Sequence, residues 1–282
     1  MNNCKPVLWT LAVLAALGGL VGAALVFGGA YNISATAQHL QPTYSLLEAT
    51  MRSSVQRRAS GIAVPPSLEA PERVRQGAAC YRASCVQCHG GPGVAAHTIG
   101  LAMQPVPGTL IAAAKAWQAR ELYWITRHGI KMSGMPAWQF HLSEADLWSV
   151  VAFVQRLPDL TPAAYGELMA QTEGLQCRAP AESAPPTLPA DRVRIGQLAL
   201  RQYACHGCHS IPGIVGSQPQ VGPPLAGFAS RQMIAGRLAN THANLVAWIR
   251  HPQQIDPLTA MPDLGVTEAH AEAMAAYLKT LR

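Results

Sequence analysis

Cys85-Val86-Gln87-Cys88-His89 recurs in the second half of the chain as Cys205-His206-Gly207-Cys208-His209. Both phrases read C-x-x-C-H. At that spacing two thiols bond to the two vinyl groups of a haem while the adjacent histidine meets the iron. Zinc would need four ligands in one cluster, and each phrase offers at most three. A redox Cys-x-x-Cys belongs beside a βαβ pattern, and the chain has none. The expectation is two covalently attached haem c groups. Cys85, Cys88, Cys205 and Cys208 would hold them, with His89 and His209 as iron ligands.

Two such phrases far apart in 282 residues favour two small domains over one large one. Outward from the first, Pro71 and Glu72 open a helix that runs to Cys85, and Gly90-Gly91-Pro92-Gly93 turns the chain sharply after His89. A middle helix is expected over 116–128. A last one is capped at Ser143, with Asp146 at the capping-box position and Pro158 just past its end. The second half repeats the plan: a helix from Asp191, a Gly/Pro loop, a middle helix over 244–250, and a last helix capped by Thr267 that ends at Leu281. Val151–Leu157 and Ala275–Leu281 are visibly related closing phrases.

An iron held by one histidine keeps its other face open to O₂, CO or peroxide, whereas a methionine there closes it and raises the reduction potential. Each half offers Met-Pro between its last two helices, Met135-Pro136 and Met261-Pro262. Met135 and Met261 are therefore the expected sixth ligands. Met132 lacks the proline neighbour, and Met103 lies before the middle helix, outside the expected loop. His97, His128, His141, His242 and His251 read as surface or packing residues.

Pro6 to Ala30 carries no charge and as a helix would span about 37 Å, enough for a bilayer core. Lys5 precedes it and no charge follows until Glu48, which places the N-terminus inside and the rest outside. A cleaved signal peptide is the alternative, but the apolar run exceeds the usual signal core. In the connector, Leu46, Leu47, Met51 and Val55 have helical spacing. They fit a helix on a membrane or a partner subunit, or a solvated stalk. Thr172 to Pro189 is a Pro/Ala-rich linker. The expected division is an anchor over 1–30, a connector over 31–66, a first domain over 67–166, a linker over 167–189 and a second domain over 190–282. Cys80 and Cys177 are open to pairing in an oxidising compartment, and Cys80 could equally be a small buried hydrophobe. The net charge of +6 comes without a basic run or aromatic-interleaved patch, so no nucleic-acid partner is expected.

Both halves resemble class I cytochromes c, and the whole chain resembles membrane-anchored dihaem cytochromes c of bacterial respiratory chains. The stretches that carry this are Cys85–His89 with 128–136, and Cys205–His209 with 221–227 and Ala260–Gly265. The resemblance implies an all-α fold, an N-terminal transmembrane helix followed by two tandem cytochrome c-like domains. It also implies a crossing of first and last helices at Gly77, Tyr81 and Phe153. In the second half Gly196 is displaced by one position and Leu200 replaces the aromatic, which implies a looser crossing. A proline carbonyl should orient each proximal histidine, Pro223 in one half and Pro105 or Pro107 in the other.

The implied function is electron relay without catalysis, on the periplasmic face of the bacterial inner membrane. The donor would be a quinol-oxidising complex or dehydrogenase and the acceptor a terminal oxidase. Arg127, Lys131 and Arg250 are candidates for docking or propionate pairing. The alternatives are a dihaem peroxidase with one open iron, which Asp263 keeps in view, a subunit of a periplasmic dehydrogenase, or a thiol-ligated haem using Cys80 or Cys177.

Overall fold

The structure, a computed structural model, describes residues 4–178, 189–216, 219 and 221–282. It is mostly helical and divides into two compact units, Met1–Gln139 with Glu144–Cys177, and Phe140–Ser143 with Arg178–Arg282. The core of the expected Pro/Ala-rich linker lies outside the described residues.

Unit 1 contains α1 (Cys4–Phe27), α2 (Gln41–Ala59), α3 (Pro71–Ser84), α4 (Val86–His89), α5 (Thr98–Leu101), α6 (Ala113–Ala116), α7 (Ala119–His128), α8 (Glu144–Arg156) and α9 (Pro162–Ala170). Within α1, Lys5–Phe27 has a mean hydropathy of 2.3 and no buried residue, and it is long and apolar enough to cross a membrane. The packed part is organised on the crossing of α3 and α8. Gly77 makes this possible. A Cβ there would overlap the Ser149 carbonyl oxygen outright and lie 2.9 Å from Phe153 Cβ. Tyr81 and Phe153 pack with ring centroids 5.0 Å apart, both fully buried. Gln76 Nε2 donates to the buried Asp146 carboxylate at 3.1 Å, which ties the start of α8 to α3.

Several boundaries differ from expectation. The middle helix α7 starts at Ala119 because Gln118 and Glu121 form a reciprocal capping box there. After Pro158 the chain re-enters a helix, α9, capped by Thr161, and this helix runs through the expected domain end at 166. Tyr165 of α9 is buried with its ring 6.3 Å from that of Phe153. Cys177 then pairs with the fully buried Cys80 of α3, their Cα atoms 5.3 Å apart. The pair removes both sulfurs from any role as haem ligands.

The connector is not a solvated stalk along its whole length. α2 packs on α7, buries Val55 and Ala59, and sets the Arg52 guanidinium 4.5 Å over the Trp117 ring.

Unit 2 contains α10 (Pro189–Gln202), α11 (His242–Arg250), α12 (Pro252–Ile255) and α13 (Glu268–Leu278). A small antiparallel pair, β1 (Met233–Ile234) and β2 (Leu238–Ala239), sets Ile234 opposite Leu238. Its centre is the crossing of α10 and α13. That crossing is not looser. A Cβ on Gly196 would overlap the Ala273 carbonyl oxygen and come within 3.0 Å of Met274 N. Ala199, Ala273 and Met274 are fully buried. Thr267 caps α13 through His270 N at 3.4 Å, as expected, and α13 stops at Leu278 rather than Leu281. α11 starts at His242 because Thr241 accepts from Asn244 N at 3.2 Å.

Candidate functional site

The first C-x-x-C-H phrase begins where α3 ends. Cys85 N bonds Tyr81 O at 2.8 Å, and Cys88 N and His89 N both bond Cys85 O at 3.0 Å. One tight turn thus presents two thiols and an imidazole together. It is closed by Gly90, whose φ of 61° is left-handed and where a Cβ would meet Val94 O at 2.5 Å. The Tyr81 hydroxyl donates to Gly90 O at 2.8 Å, fixing the turn to the helix crossing. Burial, followed by the neighbouring Cys88, pushes the Cys85 thiol up to about 12, and burial pushes Cys205 up to about 11. At neutral pH both are S–H groups rather than reactive thiolates.

His89 Nδ1 lies 2.7 Å from Gly108 O, and His209 Nδ1 lies 2.8 Å from Pro223 O. A carbonyl only accepts, so each Nδ1 carries the proton and each Nε2 keeps a free lone pair for a metal. The Pro223 carbonyl takes the expected part. In unit 1 neither Pro105 nor Pro107 does, and the carbonyl is that of Gly108, next along the same loop. In unit 2 the histidine is further confined by Gly222, whose N bonds Cys208 O at 2.8 Å. A Cβ there would sit 2.5 Å from His209 Cε1.

In unit 1 these groups share a cavity of about 460 Å³, lined by Cys85, Cys88, His89, Met135, Trp117 and Val151 among others. Its lining is predominantly apolar and comes from α2, α7, α8 and the loops after α4 and α7. Four expected site residues are therefore brought together: the two cysteines, the histidine and Met135. An apolar cleft floored by two thiols and an imidazole, with a thioether on its wall, fits a covalently held haem in donor set and chemistry. Met103 is not remote, as its sequence position suggested. It lines the same cavity, and a Cβ on Gly134 would lie 3.3 Å from its Sδ.

The two Met-Pro loops are built alike. Met135 N donates to Ser133 Oγ and Met261 N to Thr259 Oγ1, each at 3.3 Å. These hydroxyls, two residues before each methionine, were not singled out from the sequence, although Ser-Gly-Met-Pro and Thr-Ala-Met-Pro display the pattern. Gly129, φ 67°, lets the first loop fold onto α7, where a Cβ would come within 2.5 Å of Met135 O. Met261 is half-buried on the loop between α12 and α13, and Gln253 donates to its carbonyl at 2.5 Å.

Two of the three basic candidates are occupied elsewhere. Arg127 binds Glu144 and the Tyr123 hydroxyl, and Arg250 pairs with Glu268 at 3.0 Å. Lys131 is exposed. His242 Nε2 lies 2.5 Å from Glu272 Oε2 at the surface.

Residues 72–154 match the family model of cytochrome c oxidase, cbb3-type, subunit III, and residues 193–282 match that of cytochrome c. The chain is 36% identical over 88 residues to cytochrome c oxidase subunit 2 of Alkalihalophilus pseudofirmus, covering 31% of this chain and 25% of that protein. It is 32% identical over 88 residues to cytochrome c oxidase subunit 2 of Bacillus sp. (strain PS3), covering 30% and 25%. The chain thus spans about a quarter of the length of these curated relatives. No solved structure matches it. One matched segment surrounds each C-x-x-C-H phrase, so this mostly helical chain carries two stretches similar to cytochrome c-type families.

Proposed function

We propose that the chain is a dihaem c-type cytochrome that relays single electrons on the periplasmic face of the bacterial inner membrane. α1 is its uncleaved anchor, with the N-terminus in the cytoplasm. The domains run over 67–166 and 190–282, extended in the first case through α9 to Cys177. Its partners are membrane or periplasmic redox proteins: a quinol-oxidising complex or dehydrogenase as donor, an oxidase as acceptor. The match to an oxidase subunit III model and the likeness to two oxidase subunits support the oxidase end of this relay.

The observation that carries the reading is the shared histidine geometry. In both halves a backbone carbonyl holds Nδ1–H and frees Nε2, beside two thiols at the attachment spacing. Cys85, Cys88, Cys205 and Cys208 would hold haem covalently through their sulfurs. His89 and His209, with Met135 and Met261, would supply the iron ligands. Bound haem supplies a one-electron ferric/ferrous couple. The protein's part is then to keep the ligands in place, exclude water and keep the iron closed to substrates. Ser133 and Thr259 hold the methionine loops, and the apolar walls formed by α7 and α8 keep the first site dry.

The test is a haem count together with the visible spectrum of the reduced protein, with and without CO. Two haems per chain, both low-spin and both indifferent to CO, are expected. A high-spin haem, or one that takes up CO, overturns the relay in favour of a ligand-binding or peroxidase reading.

A further inference from the structure

α2 has two unlike halves. Its C-terminal half is seated on its own unit through Met51, Val55 and Ala59. The same helical stripe continues upstream, at steps of three and four, as Leu47, Tyr44 and Leu40. Nothing lies over it there: Leu40 is 71% exposed, Tyr44 49% and Leu47 55%, with Leu46 alongside at 68%. The connection from α1 to this stripe is folded back on itself. The Tyr31 hydroxyl bonds the His39 ring nitrogen, the two rings stack at 6.1 Å, and Ser34 N bonds Asn32 Oδ1 at 2.9 Å within the turn. The start of α2 is thereby held beside the chain that leaves α1 at Phe27.

Charge follows the same boundary. No Asp, Glu, Lys or Arg occurs from Pro6 to Leu47, a run far longer than the ~20 residues a span requires. The first charge is Glu48, where the stripe turns onto its own unit. Tyr31 and Tyr44 flank the uncharged connection, and tyrosines favour the level at which an apolar ring meets a wet hydroxyl.

We propose that Tyr31–Leu47 lies in the lipid–water interface of the membrane that α1 spans, and that α2 thereby holds the cavity of unit 1 at the membrane surface. This rests on the reading of α1 as an anchor. Lipid, rather than a partner protein, is the occupant because the bare stripe is joined to α1 by an uncharged connection and stops at the first charge, as depth in a bilayer dictates. Met51, about one helical turn beyond Leu47, lines the cavity. The first haem would accordingly be the one that exchanges electrons with a membrane-embedded partner.

The haem-loaded full chain is placed, one copy per disc, in phosphatidylethanolamine/phosphatidylglycerol nanodiscs containing a phospholipid with a photoactivatable acyl chain. After irradiation the cross-linked peptides are mapped. Cross-links on both α1 and Tyr31–Leu47 are expected. The double substitution Leu40→Glu with Leu47→Glu, at exposed positions, should cut the second group about tenfold and leave α1 unchanged. Cross-links confined to α1 overturn this inference and leave the anchor standing. No cross-links on α1 overturn the anchor reading itself.

Discussion

At the scale of single residues, the chemistry depends on what each histidine cannot do. A proximal imidazole whose Nδ1 faces a carbonyl has one tautomer and one free nitrogen. Gly222 is the residue that protects this arrangement in unit 2. Replacing it with alanine puts a Cβ 2.5 Å from His209 Cε1, so the ring must tilt away from its carbonyl partner. Gly222→Ala is expected to lower the haem content of the purified chain from two towards one, or to give one high-spin haem. A pyridine haemochrome count and the visible spectrum would detect either. The Pro223 carbonyl was legible in the sequence because the phrase around it is distinctive. Gly108 was not, because a backbone carbonyl leaves no side-chain signal and two nearby prolines drew the assignment.

His270 makes a second residue-scale case. Burial holds its imidazole below the usual histidine value, and the Tyr203 hydroxyl oxygen lies 3.0 Å from its Nδ1. The unfolded chain, with an ordinary value of 6.5, binds the proton first as pH falls. Stability contributed by the neutral ring is therefore present above that value and lost as pH falls through and below it. Melting of the haem-loaded protein should occur at lower temperature at about pH 5.5 than at about pH 7.5. His270→Gln should flatten that difference, and an unchanged pH dependence would count against a titrating His270.

At the scale of elements, each unit is a pair of helices pressed together at a glycine. The α3–α8 crossing could be read from Gly77, Tyr81 and Phe153, but the spacing in the second half suggested a slacker contact. Close approach depends on a missing Cβ opposite a carbonyl, not on the aromatic four positions along, and Gly196 meets that condition as fully as Gly77 does. Gly77→Ala and Gly196→Ala are therefore expected to destabilise their own units to a similar degree, by about 2–4 kcal/mol each. Chemical denaturation followed through the haem absorbance of each variant tests this. A much smaller cost for Gly196→Ala would restore the looser crossing.

The sequence also passed over α9, because Pro158 reads as a terminus and the helix beyond it is short. Its place is held by Tyr165 and by the Cys80–Cys177 disulfide. Those cysteines close a loop with a sequence separation of 97, so Cys177→Ser should cost up to about 4 kcal/mol through the unfolded chain. A melting temperature that does not fall would show the tail to be held by packing alone.

At the scale of the whole molecule, the repeated plan makes a specific demand on function. Each unit has its own C-x-x-C-H turn, its own carbonyl partner for the histidine and its own hydroxyl-braced Met-Pro loop. No ligand of one proposed iron site is drawn from the other unit. A relay needs this, because each haem must change oxidation state without releasing its neighbour's ligands. Removing one methionine should therefore open one iron only. Met135→Ala is expected to leave half of the reduced haem able to bind CO, Met261→Ala the other half, and the double variant all of it. Single variants that open both irons would mean that the two sites share structure, and electron transfer between them would then have to be coupled to a change in fold. Fractional CO titration, with the potential of the untouched haem measured alongside, separates these cases. An unshifted potential at the intact site is what two independent one-electron stations require.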